Sequence, residues 1–248
     1  MSTDNDAVQT FLRLFHSFTV YDISPLFEHN MPGWPTHDKL GVITNARNFD
    51  QNGYYAQTLV MSEHTGSHVD APRHNFPELA TIDDFPADYL IGPYKKYDLS
   101  AYNPQPGEPV TLQIIKEVER KENFSPNQGD IVLLDFGWDQ YYKPESTNPK
   151  ERTWWEKNEP GLTEEVCRYF CEAGIKAIGA DTAAVDISVK DGVVTSAYGH
   201  RKYFLPKNIL IMEGFHNMDK APATGIFLAI PLKIKAGSGS PIRPFLLG

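Results

Sequence analysis

The sequence predicts a single α/β domain built around a mixed sheet, and three observations support this prediction. Segments with helical periodicity are interspersed with apolar, β-branched runs that are typical of strands. The strand-like runs outnumber the helix-like ones. No Gly/Ser-rich or Pro-rich linker divides the 248 residues. A chain of this length can bury a substantial core without support from disulfides.

The first quarter of the chain is predicted to contain one helix and three strands. Residues 5–16 have the apolar spacing of a short amphipathic helix. The aromatic and β-branched segment SFTVYDIS is typical of a strand that ends before Pro25. The runs LGVIT and YYAQTLVMS then indicate two strands that bracket the loop NARNFDQNG.

Two helices and several strands are predicted in the rest of the chain. VTLQIIKEVERK has helical spacing with Thr111 as its N-cap, and LTEEVCRYFCEAG is a predicted helix that begins near Thr163 and stops at Gly174. Residues 139–160 are polar and aromatic and contain prolines, which predicts a long surface excursion. The predicted strands lie in YKKYDLSAY, GDIVLLDFG, KAIGAD, NILIME and IFLAIPLKI.

The composition excludes several classes of protein. The chain has 23 basic and 32 acidic residues, a net charge of −9, and no run of Lys and Arg that would follow a phosphate backbone, so we expect no nucleic-acid partner. The N-terminus begins with acidic residues where a secretory signal would be basic, and no apolar run reaches the length of a membrane span. We therefore expect a cytoplasmic protein without a membrane partner.

Common enzyme motifs are missing from the sequence. It contains no G-x-S-x-G nucleophile elbow, no H-E-x-x-H, no Walker loop and no G-x-G-x-x-G. The two cysteines, Cys167 and Cys171, lie four residues apart in a predicted helix, where core packing is a better interpretation than a disulfide or a nucleophile. Serine, cysteine and nucleotide-dependent chemistries are therefore not favoured.

The segment HTGSHVDAPRH, residues 64–74, contains three of the eight histidines and one aspartate. Its Gly and Pro disfavour a helix, so the side chains should alternate as in an extended backbone. In that conformation His64, His68 and Asp70 project from one face. Two imidazoles and one carboxylate suit a Zn, Mn or Fe ion and leave positions open for water. The alternative is a solvated polar loop, which would be the better interpretation of a lone histidine.

Two further residues of this segment are candidates for a role beside the metal. His74 follows Pro72 and is better placed to move protons than to complete the ligand shell, because an unperturbed imidazole titrates near neutral pH. The hydroxyl of Ser67 is a candidate to bind a ligand or the substrate. Its small size is an alternative reason for a serine there.

The segment resembles the H-x-G-T-H-x-D-x-P-x-H signature of the metal-dependent cyclase family, which includes bacterial kynurenine formamidases and isatin hydrolases. Ser67 departs from the usual Thr but keeps the hydroxyl. The resemblance extends from about Tyr21 to beyond Ile230 and implies a mixed-sheet single domain similar to the swivelling β/β/α fold of that family. The other stretches that carry it are YDISPLFEHNMPGWP, GDIVLLDFGW, AIGADTAAVD and ILIMEGFHNM.

The resemblance implies a ligand set for a divalent metal, Zn or Mn, with one or two ions. His64, His68 and Asp70 would bind the catalytic ion. With two ions Asp70 would bridge them, and the second would also be bound by His200 and Glu213. Without the resemblance, His200 is better interpreted as a structural histidine, whereas Glu213 ends an apolar strand and needs a partner for its charge.

The resemblance implies hydrolysis of an amide, lactam or aryl-formamide bond by a metal-activated water, with His74 as general acid/base and Trp34 against the substrate. A lactone or ester hydrolase of the same family is one alternative. A metal- or ligand-binding protein without turnover is another, although it would have no evident need of His74. The resemblance also implies a small-molecule substrate and a homo-oligomer, a dimer or tetramer. Residues 139–160 look longer than in compact kynurenine formamidases, which leaves the substrate open.

Overall fold

A nine-stranded mixed sheet organises the chain in the computed structural model, which describes residues 3–248 and the side chains of all of these except residues 3–5 and 45. The strands are β1 (Val20–Asp22), β2 (Gly41–Arg47), β3 (Ala56–Val60), β4 (His68–Asp70), β5 (Ile91–Asp98), β6 (Pro109–Val110), β7 (Ile131–Asp135), β8 (Gly161–Leu162), β9 (Ala177–Ala180), β10 (Ser188–Lys190), β11 (Val193–Ser196), β12 (Leu210–Glu213), β13 (Thr224–Leu228), β14 (Gly239–Pro241) and β15 (Phe245–Leu247). The helices are α1 (Thr3–Ser17), α2 (Phe49–Asn52), α3 (Leu112–Glu122), α4 (Pro149–Arg152), α5 (Trp154–Lys157) and α6 (Glu164–Glu172).

The centre of the sheet is parallel and its two margins are antiparallel. Strands β5, β7, β9 and β12 lie side by side in parallel register. Beyond β5 come β13, β15 and β1, and beyond β12 come β4 and β14, each antiparallel to its neighbour. The mixed α/β domain predicted from the sequence is thus confirmed. The hairpin β2–β3 and the pairs β6–β8 and β10–β11 form separate two-stranded sheets.

Hydrophobic residues cover both faces of the sheet. In β7, Val132 and Leu134 belong to a core shared with α3 and α6, while Ile131 and Leu133 point into a second core on the other face. A strand buried on both faces has a continuous apolar sequence instead of an alternating one. The run IVLLD is such a sequence, so its prediction as a buried strand is confirmed.

Most predicted elements are present, with shifted ends. Residues 5–16 lie within α1, and the loop after β2 contains the short helix α2. Thr163 caps α6 by accepting a hydrogen bond from Val166 N at 3.4 Å. Thr111 occupies the N-cap of α3, but its side chain makes no capping hydrogen bond. Both cysteines are free thiols on α6 that pack in or against the first core.

The segment 139–160 is a surface excursion only in its first half, and this part of the prediction is corrected. Trp155, Glu156, Asn158 and Glu159 are buried. The polar members of this group are bound by backbone groups of other loops, as when Glu159 accepts hydrogen bonds from two backbone amides of the loop after β9. None of the helices in the described range 3–248 combines the length and the apolar character needed to cross a bilayer.

Candidate metal centre

The pairing of β4 with β12 brings together residues that are far apart in the sequence. His68 lies directly opposite Glu213, and Asp70 lies opposite Ile211. Because residues two apart on a strand share a face, and opposite residues on paired strands do too, His68, Asp70 and Glu213 project to the same side. Nε2 of His68 lies 3.3 Å from Glu213 Oε2 and 3.5 Å from Asp70 Oδ1.

His64 reaches the same side from a turn and not from the strand, contrary to the expectation of a fully extended segment. The turn passes through Gly66 in the left-handed region with φ of 63°, and a Cβ there would lie 2.4 Å from Cε1 of Phe27. Only glycine fits such a position without strain. Nδ1 of His64 lies 2.5 Å from Asp70 Oδ1, and its Nε2 lies 2.9 Å from the hydroxyl of Ser238.

His200 joins the cluster from the short helical turn Gly199–Tyr203. Asp186 fixes its ring: one carboxylate oxygen bonds Nδ1, and the other accepts hydrogen bonds from the backbone amides of Gly199 and His200. Nε2 of His200 is thereby directed at the carboxylates, 3.3 Å from Asp70 Oδ2 and 3.4 Å from Glu213 Oε1.

Two groups of possible ligands share Asp70. His64, Asp70 and His74 form one, and His68, Asp70 and Glu213 form the other, each with one atom per residue within 4.8 Å of the others. All of these except His74 are buried. Imidazole nitrogens and carboxylate oxygens around a buried point are the donors that a divalent ion prefers. The residues therefore fit a metal, and a shared Asp70 suits two neighbouring ions.

The charges of the cluster also favour a cation. Burial alone would raise the pKa of Asp70, but the neighbouring His64 and the hydrogen bond from His200 hold it well below its usual range. Burial alone would lower the pKa of His68, but its hydrogen bond with Glu213 and the charge of Asp70 raise it to about 9. The carboxylates of Asp70 and Glu213 thus favour positive charge in this buried site, and a divalent ion would provide that charge.

His74 differs from its neighbours in exposure and in charge. Its side chain is 21% exposed, and its Nε2 lies 4.0 Å from Asp70 Oδ2. Burial, joined by the nearby His64 and His200, lowers its pKa despite the opposing charge of Asp70. A neutral, solvent-accessible imidazole beside the cluster has the chemistry to accept a proton, and the acid/base role of His74 stays a prediction.

Two predicted substrate-binding residues have different surroundings. Trp34 lines a small cavity that reaches His64 and His68. Ser67 is fully buried and donates its hydroxyl hydrogen bond to Gly214 O at 2.7 Å. Its prediction as a substrate-binding residue is corrected, because the bond ties the turn before β4 to the turn after β12.

Sequence reasoning missed several residues around the centre. The ring of His37 lies 5.1 Å from that of His64 and 5.9 Å from that of His74, and its position three residues after Trp34 was the one available signal. Ser238 binds His64 and is itself held by Glu63 at 2.6 Å. No local pattern marks Glu63 or Ser238, because their contact joins residues 175 positions apart.

Comparisons with known proteins find a family and several similar proteins. The family model described as "Putative cyclase" matches residues 21–187. An isatin hydrolase from Roseibium aggregatum is 27% identical over 243 residues, covering 92% of this chain and 86% of that protein. A kynurenine formamidase from Salinibacter ruber is 27% identical over 203 residues, covering 82% of this chain and 84% of that protein.

Solved structures show the same fold. An isatin hydrolase crystallised with the product analogue thioisatinate superposes with a TM-score of 0.83 at 23% identity, and the match covers 100% of this chain and 99% of that one. The family match spans two thirds of the chain and includes the HTGSHVDAPRH segment and Asp186. The chain therefore belongs to the cyclase family.

Proposed function

We propose that the protein is a metal-dependent hydrolase that cleaves a carbon–nitrogen bond of an aryl formamide or a cyclic aryl amide, as the names of its isatin hydrolase and kynurenine formamidase relatives suggest. The observation that carries this proposal is the convergence of two buried carboxylates with several imidazoles at one end of an aromatic-lined cavity. A protein that only binds metal would not need the partly exposed, neutral imidazole of His74 beside these ligands.

The ion is proposed to be Zn or Mn, because imidazole and carboxylate ligands accept both. His64, His68, Asp70, His200 and Glu213 would hold it, with Asp70 shared where two ions bind. A bound divalent ion supplies Lewis-acid chemistry, lowering the pKa of a coordinated water and polarising a carbonyl.

The protein's own residues would supply orientation and proton transfer. Asp186 and Ser238 hold the rings of His200 and His64 and so fix the direction of their free electron pairs. Trp34 offers a flat apolar wall for an aromatic substrate. His74 accepts a proton from the attacking water and returns it to the departing nitrogen.

The test combines metal content with hydrolysis of three substrates: an aryl formamide, isatin and a simple lactone. We expect the metal-loaded protein to hydrolyse at least one of the two carbon–nitrogen substrates. His74→Ala should keep its metal and lose about 100-fold or more in rate. Asp70→Ala should lose both metal and activity.

Other results of this test would assign a different function to the protein or a different role to His74. Turnover of the lactone alone would assign an ester hydrolase. Retained metal with no turnover of a broad substrate panel would identify a binding protein. Loss of metal from His74→Ala would place His74 among the ligands.

A homo-oligomer is also proposed, because large apolar side chains are exposed on α1 and on the separate hairpin β2–β3. A second copy of the chain is an occupant that would cover them. Sedimentation velocity should show a dimer or tetramer that Phe11→Asp with Leu14→Asp shifts toward monomer, whereas a monomeric wild type would contradict the proposal. The exposed apolar residues include Val8, Phe11, Leu14, Ile43, Leu59 and Val60.

A cytoplasmic location stays a prediction from the sequence.

A further inference from the structure

His64 differs from the other two histidine ligands in the nitrogen that faces the carboxylates. His68 and His200 each direct Nε2 at the carboxylate oxygens of the cluster, at distances of 3.3 to 3.5 Å. In His64 the order is reversed, because Nδ1 lies 2.5 Å from Asp70 Oδ1. Its Nε2, on the other side of the ring, lies 2.9 Å from the hydroxyl of Ser238. The position of the proton on this ring therefore decides whether it can bind an ion beside Asp70.

The hydroxyl of Ser238 has a single proton, and Glu63 accepts it. Oγ of Ser238 donates to Oε2 of Glu63 at 2.6 Å, and the backbone N–H of Ser238 donates to the same oxygen at 2.8 Å. An ionised carboxylate only accepts hydrogen bonds, so the hydroxyl oxygen of Ser238 is left as the acceptor for His64. Nε2 of His64 therefore carries a proton. The lone pair that a metal needs is then available on Nδ1, which faces Asp70.

The backbone next to Ser238 also fits this orientation of the ring. Gly239 lies opposite Asp70 in the pairing of β14 with β4. A Cβ at Gly239 would lie 2.7 Å from Cε1 and 3.1 Å from Nδ1 of His64, and 2.6 Å from Val69 O. A side chain at this position would therefore displace the imidazole or the strand. The turn into β14 thus supplies both the hydroxyl that binds Nε2 and the close backbone contact beside Nδ1.

The negative charge of Glu63 acts on His64 through the serine. A hydroxyl that donates to a carboxylate becomes a stronger hydrogen-bond acceptor at its own oxygen, since linked hydrogen bonds polarise one another. This strengthens the bond from Nε2–H of His64 and increases the electron density at Nδ1. Polar partners of this kind orient metal-binding imidazoles and raise their basicity. Glu63 and Ser238 thus have the chemistry to strengthen a metal bond that neither of them would make.

We propose that Glu63 and Ser238 are positioning residues of the metal centre, which set the tautomer of His64 so that this ring binds the ion through Nδ1. His68 and His200 bind through Nε2. The inference deepens the proposed function, on which it rests for the presence of an ion. It gives a role to the glutamate that precedes the HTGSHVDAPRH segment and to the Gly/Ser turn KAGSGSP, for which the sequence analysis had none.

The direct test is an NMR spectrum that correlates the ring nitrogens and the carbon-bound ring protons of the histidines in the zinc-loaded, nitrogen-15-labelled protein. Nε2 couples to both carbon-bound protons of an imidazole and Nδ1 couples strongly to one, so the spectrum identifies the nitrogen that binds zinc. We expect one ring with zinc on Nδ1 and a proton on Nε2. Its Nε2 resonance should shift in Ser238→Ala, which assigns the ring to His64. The other zinc-bound rings should show zinc on Nε2.

Zinc affinity, measured by competition with a chelating dye, tests the contribution of the two residues. Ser238→Ala should weaken zinc binding about tenfold, and Ser238→Thr, which keeps the hydroxyl, should restore most of the affinity. Glu63→Gln should weaken binding less than Ser238→Ala does, because the amide oxygen still accepts but has no charge. Two controls should bind zinc as the wild type does: Ser62→Ala, whose hydroxyl accepts from the backbone amide of His64 at 3.2 Å and not from its ring, and Glu78→Gln at an exposed position.

Four results would overturn the inference: no zinc bound by the wild type, zinc on Nε2 of every bound ring, wild-type affinity in both Ser238→Ala and Glu63→Gln, or an equal loss in Ser238→Ala and Ser238→Thr. Failure of the proposed function appears separately. If His64 binds zinc through Nδ1 and no substrate is hydrolysed, the hydrolase proposal fails and the positioning role stands. If metal-dependent hydrolysis occurs and zinc lies on Nε2 of every bound ring, only the positioning role fails.

Discussion

The carboxylate of Asp186 shows how much of the centre depends on residues that would not touch a metal. It is fully buried and binds Nδ1 of His200 together with two backbone amides of the same turn. This arrangement fixes which nitrogen of His200 faces Asp70 and Glu213. Partners of this kind orient metal-binding imidazoles and raise their basicity.

We therefore predict that Asp186→Asn lowers metal affinity about 10- to 100-fold, because the amide is neutral and keeps only one acceptor oxygen. Competition with a chelating dye measures the affinity. Asp191→Asn, at an exposed turn nearby, is the control and should leave it unchanged. Equal affinities in wild type and Asp186→Asn would show that His200 does not need this partner.

At the residue scale, the sequence predicted those features of the site that depend on the spacing of residues within one strand. His68 and Asp70 share a face because they are two apart on β4. That Glu213 lies beside them was implied only by the family resemblance, since it depends on the pairing of β4 with β12. Ser67 was assigned incorrectly because a small hydroxyl has the same appearance in the sequence whether it binds a substrate or a buried carbonyl.

At the scale of elements, helix α5 anchors the loop that carries Trp34. Glu156 on this helix is buried, and one of its oxygens accepts hydrogen bonds from Gly33 N at 2.7 Å and from Lys39 Nζ at 2.6 Å. Lys39 also donates to Gly33 O at 2.8 Å. The turn that presents Trp34 is thus held from both sides by one ion pair.

Glu156→Gln should raise KM about tenfold and change kcat less, because it loosens the Trp34 wall without touching the metal centre. Steady-state kinetics on the substrate identified by the hydrolysis panel measures both constants. Glu151→Gln, an exposed residue of the same segment, provides the matched control. A fall in kcat at constant KM would contradict a role in substrate positioning.

Polar composition is why the sequence did not predict this anchoring. The segment 139–160 has the residues of a surface loop, and its first half is one. In the second half, Glu156, Asn158 and Glu159 are buried because they bind backbone groups of distant loops. Such partners leave no periodic pattern in the segment itself, whereas the apolar periodicity of α3 and α6 was sufficient to predict both helices.

At the scale of the whole molecule, stability depends on a buried acidic residue at the end of β7. Burial, together with the negative charges of Asp98 and Asp139, raises the pKa of Asp135 to about 6 despite the nearby Lys96. Nζ of Lys96 lies 3.5 Å from Asp135 Oδ2. The folded-state pKa exceeds the ordinary value of 3.8, so the folded protein favours the protonated form of Asp135. The stabilisation that this protonation provides is complete below pH 3.8 and is lost as the pH rises through 6.

We predict that Asp135→Asn becomes progressively more favourable relative to wild type between pH 4 and pH 7, by at most on the order of 3 kcal/mol in the free energy of unfolding. Urea unfolding at several pH values measures the difference. Asp219→Asn, at an exposed position, is the control. A difference that stays constant with pH would show that Asp135 does not titrate in this range.

The fold as a whole was predictable because its central strands are continuously apolar and its helices have clear periodicity. Seven short strands were not predicted, since runs of two to four residues carry little signal: β4, β6, β8, β10, β11, β14 and β15. Two of these strands, β4 and β14, border the metal centre. The sequence therefore indicated which residue types could bind a metal better than it indicated the strand pairing that brings them together.

The buried cluster is proposed to hold a divalent ion required for hydrolysis of a carbon–nitrogen bond. The most direct measurement follows hydrolysis of an aryl formamide and of isatin before chelation, after removal of metal to below one tenth of an equivalent, and after addition of Zn or Mn. We predict that chelation abolishes turnover and that one of the two ions restores it. Undiminished turnover by the metal-free protein would show that the ion is not required.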